Sequence, residues 1–146
     1  MAGGRYLEDV VRRLKETGLK VTPQRLAVIR CLEGNSSHPS AEQIHRAVTR
    51  SFPTISLATV YNTLETLERI DAVRSMYLTG GRRHYDPETR PHHHAVCRRC
   101  QRIEDVFPET GGPVPVPATV RGRFAEVTPM VLYRGTCADC ASFSSS

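Results

Sequence analysis

Four of the five cysteines occur in two pairs whose spacing is typical of a metal site. The pairs are Cys97-x-x-Cys100 and Cys137-x-x-Cys140. Each pair presents two thiolates from a tight turn, and two such turns form the tetrahedral sulfur cage that structural zinc prefers. Redox-active thiols are the alternative, and Arg98, Arg99 and Arg102 would lower the thiol pKa in either case. Cys31 lies in an apolar helical pattern and is expected to be a small buried residue.

The histidines suggest a second metal site, because three of the six are consecutive. On a strand, His92 and His94 point to one face and His93 to the other, so His92 and His94 form an imidazole chelate. Asp86 lies six residues before His92, Asp105 lies on the neighbouring predicted strand, and His38 lies just before the third predicted helix. Together these residues predict a site of three imidazoles and two carboxylates: His38, Asp86, His92, His94 and Asp105. This donor set suits Fe(II) or Mn(II) rather than a permanent zinc. Adventitious binding to a surface histidine run is the alternative, and His45 and His84 are expected to face solvent.

Four helical patterns, at 6–17, 22–32, 40–49 and 56–70, come before these groups. Thr22 followed by Pro23 is a strong start signal, and Ser40 begins a sequence close to a capping box. Ser56 is the expected N-cap of the fourth helix, and Gly18 is expected to end the first.

A change to strand patterns follows the helices. Segments 72–78 and 82–85 flank Thr79-Gly80-Gly81, a hairpin turn signal. Helices followed by a hairpin are typical of a winged helix-turn-helix, whose last helix enters the major groove. Further strands are predicted at 92–97, 102–107 and 124–133, whereas the proline-rich stretch between the last two allows only a helical turn at 118–122. The fold class is α+β, with a winged-helix domain over 1–84, a hinge over 85–91 and a zinc-stapled domain over 92–146.

The predicted helix at 56–70 has a face that suits DNA. With its apolar stripe against the core, the opposite face carries small or hydrogen-bonding residues: Ser56, Ala58, Thr59, Asn62 and Thr63, with Tyr61 at the edge. Asparagine pairs well with adenine, and threonine or alanine contacts a thymine methyl. Basic side chains would add phosphate contacts. The candidate DNA contacts are Lys15, Arg25, Ser56, Thr59, Tyr61 and Asn62, and an ordinary polar surface helix is the alternative.

Charge is distributed unevenly along the chain. Residues 1–83 hold 13 Lys/Arg and 8 Asp/Glu, and residues 84–146 hold 7 of each, so the net charge of +5 lies in the first part. This favours a polyanion-binding unit, with a merely solvated basic surface as the alternative. No apolar run long enough for a membrane span occurs, and the N-terminus lacks a secretory signal, so we expect a cytoplasmic protein. No hydrolytic constellation or phosphate loop is found, so an enzyme is not expected.

Several motifs in order resemble the ferric uptake regulator (Fur) family. They are Leu19-Lys20-Val21-Thr22-Pro23-Gln24-Arg25, His38-Pro39-Ser40-Ala41, Ser56-Leu57-Ala58-Thr59-Val60-Tyr61-Asn62-Thr63-Leu64, His92-His93-His94-Ala95-Val96-Cys97 and Cys137-x-x-Cys140. The chain is most similar to the peroxide-sensing repressor (PerR) branch, whose regulatory ligands match the five residues above in order. Iron-sensing members usually carry Glu at the places of Asp86 and Asp105, and often a His where Thr128-Pro129-Met130 stands.

The resemblance implies a homodimer that binds a palindromic operator DNA when its sensory site is loaded. It also implies Fe(II)-catalysed oxidation of a ligating histidine by hydrogen peroxide, which releases the metal and then the DNA. The second domain would be a small α/β dimerisation domain, although its usual helix is interrupted here by prolines. Two other functions stay open: an iron, manganese, zinc or nickel uptake regulator without peroxide sensing, and a zinc or thiol redox protein.

Overall fold

The computed structural model describes residues 4–143, which fall into two compact units. The first unit ends at Thr89 and the second begins at Arg90, inside the segment predicted to be a hinge. No helix within the described range has the length and hydropathy needed to cross a membrane.

Four helices open the first unit, and their starts agree with the predicted caps. They are α1 (Arg5–Glu16), α2 (Pro23–Leu32), α3 (Ala41–Val48) and α4 (Leu57–Arg69). The side chains of Thr22, Ser40 and Ser56 each accept a hydrogen bond from a backbone N–H in the first turn, and Gln43 completes a capping box with Ser40. Helix α1 ends where Gly18 adopts a left-handed conformation with φ of +76°.

One apolar core holds these helices together. Its members on α2, α3 and α4 are Val28, Ile29, Leu32, Ala41, Ile44, Val48, Val60, Leu64 and Leu67. The prediction that Thr63 lies on the exposed face of α4 is wrong, because this side chain is only 2% exposed. Its hydroxyl donates to the Thr59 carbonyl at 2.8 Å, so the polar group is satisfied within the helix.

A two-stranded hairpin follows the helices, as predicted. Strands β1 (Arg74–Tyr77) and β2 (Arg83–Asp86) are antiparallel. Gly80 and Gly81 have φ of +60° and +65°, as a type I′ turn requires. Strand β2 extends one residue beyond the predicted strand, to Asp86 in the predicted hinge, and Tyr85 before it packs into the core at 1% exposure.

The second unit contains a three-stranded sheet. Strands β3 (His93–Cys97), β4 (Ile103–Val106) and β5 (Leu132–Gly135) lie in the order β4-β3-β5, with β5 parallel to β3. The strand predicted over 124–133 is wrong over most of its length, since Glu126 has a positive φ of 53° and Pro129 lacks an N–H for pairing.

Three short helices complete the second unit: α5 (Pro108–Gly111), α6 (Ala118–Arg121) and α7 (Ala138–Ser142). Helix α6 confirms the predicted helical turn. Helix α5 was excluded by the sequence analysis, but Pro108 occupies its first position, where proline is tolerated because that N–H has no intrahelical partner. Helix α7 was also not predicted.

The second unit has a small apolar interior. Among its described residues, Val96, Cys97 and Ile103 are the buried hydrophobic side chains. Three imidazoles, those of His92, His93 and His94, are buried beside them. A sheet with so little apolar surface to bury depends on other interactions for its stability.

The buried hydroxyl of Tyr6 gives a prediction about stability in alkaline solution. It donates to the Ala72 carbonyl at 2.8 Å, and burial raises the pKa of Tyr6 above its ordinary value. We expect Tyr6→Phe to cost about 1 kcal/mol at pH 8, the usual net value of one hydrogen bond. Because the folded pKa is raised, this contribution is complete below the unfolded pKa of about 10 and declines above it.

Urea unfolding at pH values from about 8 to about 11 tests this expectation. The difference in unfolding free energy between wild type and Tyr6→Phe should shrink as the pH passes about 10. Tyr77→Phe is the control, because Tyr77 is 70% exposed. A difference that stays constant over this range would contradict the prediction.

Candidate metal centres and nucleic-acid interface

The four paired cysteines converge in the second unit. Their Sγ atoms all lie within 4.8 Å of one another, and the Cys100 and Cys137 sulfurs are 3.7 Å apart. Tetrahedral zinc with Zn–S bonds of about 2.3 Å requires sulfur–sulfur separations of about 3.8 Å. The four side chains therefore fit a tetrahedral thiolate site.

Hydrogen bonds are the largest cause of the pKa shifts of two of these thiols, Cys97 and Cys140. The Cys137 N–H donates to the Cys97 sulfur at 3.3 Å, and this bond with others from the first turn lowers the pKa of Cys97 to about 6. The Cys140 thiol has its pKa raised to about 12, chiefly by its hydrogen bond with Cys137. A divalent cation favours the thiolate form of all four ligands, so metal binding would release protons.

Two of the arginines near the thiols also bind other groups of the second unit. The Arg102 guanidinium pairs with Asp139 at 2.9 Å, and Arg99 donates to the Cys140 carbonyl at 2.7 Å. Arg99 thus contacts the backbone of the second cysteine turn.

A group of two imidazoles and one carboxylate lies on one face of the sheet. His94 is directly opposite Asp105 in the antiparallel pairing of β3 with β4. The Asp105 Oδ1 atom is 3.1 Å from Nε2 of His92 and 3.6 Å from Nε2 of His94. His93 points the other way, and its Nδ1 accepts the Val131 N–H at 3.2 Å. The predicted alternation of the three histidines is confirmed.

A second imidazole–carboxylate pair lies in the first unit. The His38 Nε2 and Asp86 Oδ2 atoms are 3.2 Å apart, and both side chains are buried, at 0% and 1% exposure. His38 has a positive φ of 52°, which is unusual for a residue other than glycine. Strand β2 holds this loop, because His84 donates to the His38 carbonyl at 2.9 Å and the Tyr85 N–H donates to the Pro39 carbonyl at 3.0 Å.

His84 therefore corrects an expectation. It was predicted to face solvent, but it is 8% exposed and bonded to the backbone of the loop that carries His38. The sequence offered one signal for this role, since alternation on β2 places His84 and Asp86 on the same face.

Both imidazole–carboxylate groups combine borderline nitrogen with hard oxygen donors. Such mixtures suit Fe(II) and Mn(II), whereas the thiolate cluster suits zinc. The side chains of the two kinds of site thus suit different metals.

The DNA face predicted on α4 is largely exposed. Ser56, Tyr61 and Asn62 are exposed and Thr59 is half-buried. Ser56 accepts the Thr59 N–H as the helix cap, and Tyr61 donates its hydroxyl to Glu42 on α3 at 2.8 Å. Glu42 was not predicted to belong to this face, and its carboxylate orients the Tyr61 ring.

The basic side chains near this face differ in their engagement. Lys15 is exposed at the end of α1, whereas Arg25 is half-buried and donates to the Lys20 carbonyl at 2.6 Å. Arg83 binds both carboxylate oxygens of Glu68, at 2.9 and 2.8 Å. That ion pair joins the hairpin to the end of α4.

The sequence of the chain is similar to those of known proteins. Residues 16–110 match the model of the ferric uptake regulator family. The chain belongs to this family of metal-responsive regulators. The peroxide-responsive repressor PerR of Staphylococcus epidermidis is 36% identical over 99 residues, which are 68% of this chain and 66% of that protein. The Fur-family chain thus spans a little under two thirds of that relative's length.

Solved structures agree with this placement. The Campylobacter jejuni peroxide stress regulator is 28% identical, with a TM-score of 0.64, and the match covers 89% of this chain and 98% of that one. The Helicobacter pylori ferric uptake regulator Fur is 21% identical, with a TM-score of 0.72 over 92% of this chain and 93% of that one. The second likeness supports the Fur fold alone.

The thiol cluster of this Fur-family chain gives the next prediction. We expect Cys137→Ser to remove tightly bound zinc and to abolish cooperative unfolding of the second unit. Structural zinc sites supply about 10 kcal/mol or more of binding free energy at neutral pH, and a three-thiolate remainder loses much of it. Zinc content by elemental mass spectrometry and thermal unfolding provide the measurements.

Cys31→Ser is the matched control, because Cys31 is half-buried on α2 and lies outside the cluster. It should keep its zinc. A Cys137→Ser protein with full zinc content and an intact second unit would show that this cluster is not the zinc site.

Proposed function

We propose that this chain is a metal-dependent repressor that binds palindromic operator DNA as a homodimer and is released by peroxide oxidation at an Fe(II) site. The observation that carries the proposal is the presence of two imidazole–carboxylate groups with buried imidazoles, one in the unit with the DNA face and one in the unit with the thiol cluster. Similarity to the peroxide-responsive repressor PerR of Staphylococcus epidermidis supports the same function.

The two imidazole–carboxylate groups are proposed to bind one regulatory ion together. His38 with Asp86 offers two donors, and His92, His94 and Asp105 offer three. Each group alone provides fewer ligands than Fe(II) or Mn(II) normally takes, whereas five together approach its usual coordination number. An ion held by both units would restrict the orientation of the DNA-binding unit, and this restriction is the proposed link between metal and DNA.

Zinc is proposed to have a structural role at Cys97, Cys100, Cys137 and Cys140. The second unit buries few apolar side chains, so a bound ion would supply stability that the core lacks. This unit is also the proposed dimerisation domain.

DNA recognition is proposed to place the exposed face of α4 in the major groove of the operator. The protein is proposed to act in the cytoplasm. Asn62, Thr59 and Tyr61 would contact base edges, and Ser56 at the helix start would contact a phosphate. Lys15 and Arg25 would bind the backbone, which sets the register of the protein without reading sequence.

Peroxide sensing is proposed because both carboxylate ligands are aspartates and three imidazoles lie within the donor set. Bound Fe(II) would catalyse the cleavage of hydrogen peroxide beside these rings, and in the net reaction the oxidised ring would supply the two electrons that reduce the peroxide. In the net reaction one peroxide oxygen enters a ring C–H bond of a ligating imidazole and the other leaves as water. The oxidised ring is a poor ligand, so His38, His92 or His94 would no longer hold the ion.

Substitution of His92 tests the regulatory site. We expect His92→Ala to weaken Mn(II)-dependent operator binding by about 100-fold, the upper range for disturbed metal sites, while zinc content stays unchanged. A gel shift with and without Mn(II) measures this effect. His45→Ala is the control, because His45 donates to the Ile55 carbonyl and lies outside the donor set. Wild-type metal dependence in His92→Ala would exclude the proposed site.

Mass spectrometry tests peroxide sensing separately. After Fe(II) loading and peroxide treatment, a peptide carrying His38, His92 or His94 should gain about 16 Da, the mass of one oxygen, by analogy with the first step of sulfur oxidation. The Mn(II)-loaded protein is the control and should gain nothing. If the iron form also stays unmodified but binds DNA, the chain is an uptake regulator of the same family without peroxide chemistry.

A further inference from the structure

An aromatic ring covers one of the regulatory imidazoles. The Phe107 and His92 rings are stacked, with centroids 5.2 Å apart and an interplanar angle of 30°. The His94 ring lies 4.5 Å away from His92 at a tilt of 56°. Because of these neighbours the His92 side chain is only 3% exposed. Its plane is therefore defined by ring packing within the second unit.

A backbone hydrogen bond fixes the tautomer of the same imidazole. The His92 Nδ1 atom is 2.8 Å from the Arg90 carbonyl, which can only accept, so Nδ1 carries the proton. The Nε2 atom faces the Asp105 carboxylate at 3.1 Å, and it is the nitrogen that a metal ion would bind in place of a proton. Outer-shell contacts of this kind orient metal-binding histidines and raise their affinity for the ion.

Phe107 is itself held from two sides. The Arg90 guanidinium lies over its ring, with Cζ 5.3 Å from the ring centroid. Its backbone caps α5, where the Thr110 hydroxyl and the Gly111 N–H both donate to the Phe107 carbonyl. Arg90 thus contacts the Phe107 ring through its guanidinium and the His92 imidazole through its carbonyl. The stacking and the hydrogen bond that position the imidazole therefore share one residue.

We propose that Phe107 is a positioning residue of the regulatory site: its stacked ring, held by Arg90 and α5, keeps His92 with Nε2 directed at Asp105. This inference rests on the proposed function, since it assigns His92 to a metal. Helix α5, which was not expected from the sequence, then contributes to the site, because its N-cap residue Phe107 carries the ring that orients His92.

The test compares Phe107→Leu, Phe107→Tyr and Phe124→Leu with wild type. Each protein is first shown to contain its full zinc content. Leucine keeps the apolar character of the side chain but removes the aromatic ring, whereas tyrosine keeps the aromatic ring. Phe124, 65% exposed in the same unit, is the matched aromatic control. The first readout is NMR of the His92 ring without regulatory metal, which reports the Nδ1–H tautomer and the ring-current shift of its protons. The second is a Mn(II) titration followed by electron paramagnetic resonance.

Phe107→Leu is expected to abolish the ring-current shift of His92 and to weaken Mn(II) binding about tenfold, the lower range for outer-shell substitutions. Phe107→Tyr and Phe124→Leu should match wild type in both measurements. An unchanged His92 spectrum in Phe107→Leu, or an unchanged affinity where wild type binds Mn(II), would overturn the proposal. If wild type itself binds no exchangeable Mn(II), the proposed function fails, and the metal-free spectra still decide whether Phe107 positions His92.

Discussion

The register of β3 against β4 is the constraint on which the second unit depends. Placing His94 opposite Asp105 puts two imidazoles and a carboxylate on one face. A slip of one residue would turn His93 to that face and remove both other imidazoles from it. The same pairing ends at Cys97, whose N–H donates to the Arg102 carbonyl at 2.9 Å and so forms the first cysteine turn. One register therefore determines both groups of donors.

Parallel pairing of β3 with β5 brings the second cysteine pair to the first. Cys97 lies beside Gly135, so the chain enters its second cysteine turn next to the first. Parallel neighbours need a long crossover, which residues 98–131 provide through β4 and two short helices. Closing such a loop costs conformational entropy. The few buried apolar side chains of the second unit, Val96, Cys97 and Ile103, offset little of this cost. The thiol cluster lies where a metal crosslink would oppose that cost most directly.

Sequence reasoning succeeded where the information is local and failed where it depends on packing. The caps at Ser40 and Ser56 and the spacing of cysteines and histidines follow from hydrogen-bonding groups at fixed offsets along the chain. The burial of Thr63 and His84 was mispredicted, because it depends on which helix or loop packs against each residue. The strand expected over 124–133 failed because residues of high strand propensity are interrupted there by local turns.

The arrangement of donors along β3 has an energetic consequence for the proposed regulatory ion. His94 and Cys97 are separated by three residues of strand, about 10 Å at the usual rise. A tightly bound zinc at the Cys97 end would fix the strand, and with it the direction of His92 and His94, before a weaker ion arrives. Ligands ordered in advance lose little conformational entropy on binding, so an exchangeable site can be selective without being tight. Permanent thiolate ligation at one end of a strand thus makes reversible imidazole–carboxylate ligation at the other end effective.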